Sequence, residues 1–190
     1  MSMEVRATSL DGLWEIVTQP RGDARGSLTR VFCTEQLAVI RPALRFVQTN
    51  LTFTAERGTV RGLHFQRAPA LEAKLIRCLR GRVYDVAVDL RAGSPTFGRW
   101  HAVELSGENQ CEIFIPEGFA HGFQTLTDDV EMLYQHTAAH APVSEGGLRH
   151  DDDRLAIPWP LPVTQISARD REHPPLDAAF QPLQLNQGAR

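Results

Sequence analysis

Lysine is almost missing from this chain. Of its 20 lysine and arginine residues, Lys74 is the single lysine. A chain that uses arginine nearly everywhere draws attention to the one place where it keeps a compact ammonium with three donors instead of a planar fork. Tyrosine is nearly as scarce, with only Tyr84 and Tyr134. Cysteine is sparse and odd in number: Cys33, Cys78 and Cys111 lie far apart, which excludes a disulfide framework and a CxxC metal knuckle. Excess positive charge is absent as well, the formal net charge being −3, so the chain has no electrostatic footprint for nucleic acid. No segment approaches the ~18 apolar residues of a membrane span, and MSMEVRATSLDGLWEIV holds no unbroken apolar stretch of signal length. A soluble, cytoplasmic protein without membrane or nucleic-acid partners is expected. Repeats and low-complexity segments are missing too, and the 190 residues suit one globular domain.

Short alternating strands fill the space that helices leave. Between Thr49 and Thr137 the chain runs in period-two segments separated by turn residues, the pattern of an antiparallel sheet. KLIRCL, RG and RVYDVAVDL read as a hairpin, with Val83, Asp85, Ala87 and Asp89 alternating against Tyr84, Val86, Val88 and Leu90. RAGSPTFGRW is a loop, followed by the strand-length segments HAVELS, CEIFIP, GFQTL and VEMLYQHT. Helical pattern is confined to short pieces near TEQLAVI and SARDREHPPLDAA. Many short strands with few helices predict an all-β sandwich or closed jelly roll with short flanking helices. The tail from Phe180 to Arg190 has little to bury and is expected to be loose.

Two segments carry the chemistry. VRGLHFQ places Arg61 and His64 in a strand on either side of Gly62, a residue expected to allow close backbone approach. IPEGFAHGF forms a P-x-G-x-x-H turn that would deliver His121 from a tight bend into a barrel interior. This turn resembles the second half of the cupin signature. Metal-dependent cupins complete it with H-x-H and a nearby Glu, whereas here the second histidine is Gln66 and the acid is not at the usual spacing. A metal would keep two histidines at most, so no metal or other cofactor is expected. Taken singly, each candidate has an ordinary explanation: a surface lysine, a hydrogen-bonded core histidine, a rim tyrosine, a solvated arginine.

Together, RGLHFQ, KLIRCLRGRVYDVAVDLRAGSPTFGRW, ELSGEN, IPEGFAHGF and EGGLRHDDDRLAIPWP resemble the dTDP-4-dehydrorhamnose 3,5-epimerase family, from about Arg21 to Asp170. The resemblance implies a metal-free cupin, a double-stranded β-helix, acting on a nucleotide-linked 4-keto-6-deoxy sugar, most simply dTDP-4-dehydro-6-deoxyglucose. It also implies a homodimer whose N-terminal segment reaches the neighbouring subunit's site. In such a sugar the hydrogens at C3 and C5 are acidic because the C4 carbonyl accepts the charge as an enolate. Inversion then needs a base on one face, an acid on the other and a cation at the ketone oxygen. His64 suits the base. By resemblance, Asp170 orients His64, Tyr134 is the acid, and Lys74 meets the oxyanion. Arg25 and Arg61 match arginines that grip the diphosphate, Gln48 and Asn50 line the site, His121 is a second pocket imidazole, and His140 offers a partial replacement for missing base-stacking side chains.

Several positions depart from the family pattern. Leu28 and Arg30 stand where an aromatic and an acid are common, Ala138 and Ala139 occupy a usually aromatic-rich segment, and His150 and Asp153 replace a tryptophan and a proline. The resemblance predicts inversion at both C3 and C5. A single-position epimerase, a metal-dependent cupin oxygenase or isomerase, and a non-catalytic sugar-binding module are the other readings.

Overall fold

The computed structural model describes residues 2–185. Its strands are β1 (Met3–Ala7), β2 (Trp14–Thr18), β3 (Arg21–Asp23), β4 (Gly26–Leu28), β5 (Gln48–Thr54), β6 (Val60–Gln66), β7 (Lys74–Arg80), β8 (Arg82–Asp89), β9 (Trp100–Ser106), β10 (Cys111–Ile115), β11 (Phe119–Thr125), β12 (Val130–His136) and β13 (Glu145–Gly147). The short helical pieces are a 3-10 turn at Gln36–Val39, another at Pro142–Ser144, and α1 (Ala168–Arg171). One sheet has the order β1-β2-β10-β7-β12-β5 and the other β13-β6-β11-β8-β9, while β3 and β4 form a separate hairpin. This is the expected all-β jelly roll of the cupin type.

The inner faces of the two sheets meet in an apolar core. Ile76, Ile113 and Met132 from the first sheet pack with Val83, Ala87 and Phe123 from the second. Each fully buried aliphatic or aromatic side chain of this kind contributes about 1.5 to 3 kcal/mol. The outer faces are covered as well. Segment 32–46 lays Leu37, Leu44 and Phe46 over Leu75 and Phe114, and the C-terminal segment lays Leu155, Leu176 and Leu183 over Val86, Val88 and Leu90. Covering both faces explains why β8 reads as alternating yet is buried along nearly its whole length.

Two expectations change, and a third holds. KLIRCL and RVYDVAVDL are strands but not a hairpin: β7 pairs with β10 and β12, β8 pairs with β9 and β11, and Gly81 is the corner where the chain crosses between sheets. The expected loose tail is docked at least through Leu183, which is 2% exposed and bridges Arg91 in parallel, while Phe180 packs against Phe65. Residues 186–190 of that tail lie outside the described residues. Gly62, at φ +115, makes its close approach to the neighbouring strand: an added Cβ would lie 2.6 Å from Gly122 Cα and 2.7 Å from the His121 carbonyl oxygen.

Candidate active site

The register of three neighbouring strands sets one wall of a cavity. Opposite His136 on β12 stand Gln48 on β5 and Lys74 on β7; opposite Tyr134 stand Asn50 and Ile76. Side chains two apart on a strand share a face, so Gln48, Asn50, Thr52, Tyr134, His136 and Lys74 all point the same way. Ile76 and Met132 continue those rows into the apolar core. The site therefore sits at the polar end of the same interior that holds the core.

The facing wall comes from β6 and β11, and a bulge shapes it. Between the pairs His121–His64 and Phe123–Arg61, β6 advances three residues while β11 advances two. A regular strand would turn Arg61 and His64 to opposite faces, because three is an odd spacing. The extra residue brings both onto the cavity side. The cavity has a volume of about 830 Å³, and Gln48, Asn50, Arg61, His64, Lys74, His121, Tyr134, His140 and Asp170 all line it. Of the predicted residues only Arg25 does not: it lies on the exposed β3–β4 hairpin and pairs with Asp23 at 2.6 Å.

His64 and Asp170 form a dyad. His64 Nε2 lies 2.8 Å from Asp170 Oδ1, and the Gly62 N–H donates to Asp170 Oδ2 at 3.0 Å. Asp170 is presented by α1, whose N-cap Ser167 accepts from the Asp170 N–H. Burial pushes the Asp170 carboxyl upward, but the hydrogen bonds from His64 and Gly62 outweigh it and hold the group at about 2. An ionised carboxylate only accepts, which places the His64 proton on Nε2 and leaves Nδ1 with its lone pair.

On the opposite wall, burial pushes the Tyr134 hydroxyl well above its ordinary range, and the Asp85 carboxylate adds to the shift. It is a phenol that stays protonated. His121 sits edge-on to the Tyr134 ring at 5.9 Å between centroids, with Nε2 2.8 Å from Asp85 Oδ2. Burial lowers the His121 pKa against the pull of Asp85. With His121 held by Asp85, the two cupin-signature histidines do not share a ligand set.

Sequence reading missed the carboxylate beside Lys74. Glu72 Oε1 is 3.3 Å from Lys74 Nζ and its Oε2 is 2.8 Å from His136 Nδ1. Burial works to raise the Glu72 pKa, but His136 and Lys74 together lower it, so Glu72 is anionic. The spacing Glu72-x-Lys74 was the available signal, since residues two apart in an extended chain share a face. Gln66, which stands where a metal-dependent cupin has its second histidine, holds the fold instead. It donates to the Ala70 and Ala139 carbonyls and accepts from the Ala141 N–H, pinning the loop that carries His140. His173 was also missed, and nothing in its immediate sequence marks it.

The family model described as dTDP-4-dehydrorhamnose 3,5-epimerase matches residues 7–178. A dTDP-4-dehydrorhamnose 3,5-epimerase of Sinorhizobium fredii is 44% identical over 156 residues, covering 82% of this chain and 80% of that protein. A dTDP-4-dehydrorhamnose 3-epimerase of Streptomyces niveus is 37% identical over 171 residues, covering 90% and 82%. The crystal structure of dTDP-4-dehydrorhamnose 3,5-epimerase from Bacillus anthracis with TDP and PPi bound superposes with a TM-score of 0.89 at 38% identity, over 92% of this chain and 100% of that one. With the jelly roll, the dyad and a family match over nearly the whole chain in agreement, this protein belongs to the dTDP-4-dehydrorhamnose 3,5-epimerase family.

Proposed function

We propose that the protein inverts C3 and C5 of dTDP-4-dehydro-6-deoxyglucose through enolate intermediates, in the cytoplasm. One observation carries the reading: a dyad-held imidazole and a protonated phenol reach a single cavity from opposite sheets, with an ammonium on the same wall as the phenol. His64 Nδ1 takes the proton from C3, and the C–H electrons move into the ring as the carbonyl becomes an enolate oxyanion. Lys74 stabilises that oxyanion; a preorganised charge in such a cavity is worth roughly 3 to 4 kcal/mol. Tyr134 then delivers a proton to the other face of the carbon; once His64 has given its proton to solvent and the Tyr134 phenolate has taken one back, the same steps invert C5. Arg61 grips the diphosphate, a role suited to a bidentate fork, while Gln48, Asn50 and His140 line the approach. His121, neutral and tied to Asp85, supports the Tyr134 ring.

Double inversion is favoured over inversion at C3 alone by the 44% identity to a 3,5-epimerase against 37% to a 3-epimerase. A sugar-binding module has no use for a base, an acid and an oxyanion cation in one cavity. Among the described residues no helix is long and apolar enough to cross a membrane.

A second copy of this chain completes the site in this reading. Leu51 and Phe53, 62% and 54% exposed, lie on β5 at the sheet edge, and Arg25 and Leu28 on the exposed β3–β4 hairpin do not line the chain's own cavity. Light scattering should report a dimer, and Arg25→Ala should raise KM with kcat nearly intact; a monomer of full activity would overturn this part. The main test is exchange in heavy water read by NMR. The wild type should place deuterium at both C3 and C5, and His64→Asn should lose about 10² to 10⁴-fold of that exchange. Near-normal exchange in His64→Asn would remove His64 from the role of base.

A further inference from the structure

Behind the dyad lies a third donor that the reaction does not use. His173 belongs to the wall of an adjoining cavity of about 370 Å³, with Arg67, Glu145, Gly147 and Arg169 among its neighbours. Its ring fills space that exists only because residue 147 is glycine: a Cβ there would lie 2.3 Å from the imidazole. The ring meets His64 edge-on, with centroids 5.7 Å apart. His173 Nε2 is enclosed and has no hydrogen-bond partner, its nearest carboxylate oxygen being Asp170 Oδ1 at 3.9 Å. A buried ring nitrogen left unpaired is an exception that calls for a reason.

We propose that His64, Asp170 and His173 form a binding site for one divalent transition-metal ion, Zn²⁺ in type, whose occupation switches the enzyme off. Their donor atoms all lie within 4.8 Å of one another. Two imidazoles and a carboxylate are a set that zinc accepts, with a water in the fourth position. Zinc bonds of about 2.0 to 2.2 Å require donors roughly 3.3 Å apart. The His64–Asp170 separation of 2.8 Å and the His173–Asp170 separation of 3.9 Å bracket that value, and the two imidazole donors, at most 4.8 Å apart, draw together around the ion to complete the set.

The consequence follows from the tautomer. The ion takes the place of the proton on His64 Nε2 and a proton is taken up at Nδ1, so the ring stays neutral with no net release of protons. The neutral ring now carries its single proton on Nδ1, the nitrogen that must accept from the sugar. The metal-bound enzyme holds its substrate and has no base. This inhibitory half rests on His64 being the base, whereas binding of the ion does not.

Chelator-treated protein should be titrated with Co²⁺ for the visible absorption of a tetrahedral site, and with Zn²⁺ while exchange at C3 and C5 is followed. One ion per chain is expected, with kcat falling, KM unchanged and activity restored by chelator. His173→Phe keeps the ring packed against Gly147 and removes the donor. It should retain metal-free activity, lose the Co²⁺ band, and lose at least about tenfold in Zn²⁺ sensitivity. His173→Gln should behave alike and guards against a folding defect in the first variant. Equal sensitivity in wild type and both variants, or a wild type that binds no ion, overturns the site. A His173-dependent Co²⁺ band with exchange undiminished at saturation overturns the inhibitory half and points to an error in the role of His64 instead.

Discussion

Replacing Lys74 with methionine separates what the lysine does for the reaction from what it does for the fold. Lys74 is 8% exposed, and Glu72 beside it is bound to both Lys74 and His136. Removing one oxyanion donor costs about 10² to 10³-fold in kcat. It also strips a cation from a buried carboxylate. Breaking a buried ion pair costs about 3 to 5 kcal/mol, and with His136 still donating to Glu72 we expect a smaller loss, roughly 2 to 3 kcal/mol. For a chain of this size that lowers Tm by roughly 4 to 12 °C. The double variant Lys74→Met/Glu72→Gln removes the stranded charge, so it should recover most of the lost Tm and none of the lost kcat. The pH dependence has a definite sign. Glu72 has a folded-state pKa below its unfolded value, so its stabilisation is present above the unfolded pKa and fades as pH falls through the folded one. Lys74→Met forfeits part of that stabilisation, and its stability deficit should therefore shrink on acidification. Thermal melts across pH and heavy-water exchange on the same samples make the test. Recovery of exchange in the double variant, or an unchanged kcat in Lys74→Met, refutes the assignment of Lys74 to the oxyanion.

Tyr134→Phe should impair delivery of deuterium to the product more than loss of the substrate's own hydrogen, and because burial raises the phenol pKa the wild-type rate should show no alkaline limb at the ordinary tyrosine value. Gly62→Ala forces a Cβ against Gly122 and an unfavourable positive φ, costing about 2 kcal/mol or more in a chemical melt and disturbing Arg61 and His64 together; an unaltered melt and rate would show that the bulge is not required. Glu112, paired with Arg77 on the outer face of the first sheet, is raised by burial to about 7 against an ordinary 4.5. The folded state thus favours its protonated form, and this contribution is full below about 4.5 and lost as pH rises through 7, on the order of 3 kcal/mol. Glu112→Gln should flatten that decline in stability, as followed by urea midpoints.

Pattern and chemistry along the chain determined a good deal. Period-two alternation marked the strands between Thr49 and Thr137, because side-chain direction in a strand depends on parity alone, whereas β1, β2 and β13 of the two sheets were not read from it. The scarcity of lysine and tyrosine singled out two residues that the fold does bring into one cavity. Tertiary structure decided the rest. Gly81 with its flanking strands carries the same local signal whether the strands pair or part, and only the partners available to β7 and β8 made it a corner. The bulge that puts Arg61 and His64 on one face arises from register against β11, which no local pattern encodes. The tail reads as loose because its apolar residues are few, yet Leu183 finds a site against the outer face of β8 that the rest of the chain must build first. Asp170 and His173 reach His64 across more than a hundred residues of sequence, and a contact of that separation exists only once the sheets have closed.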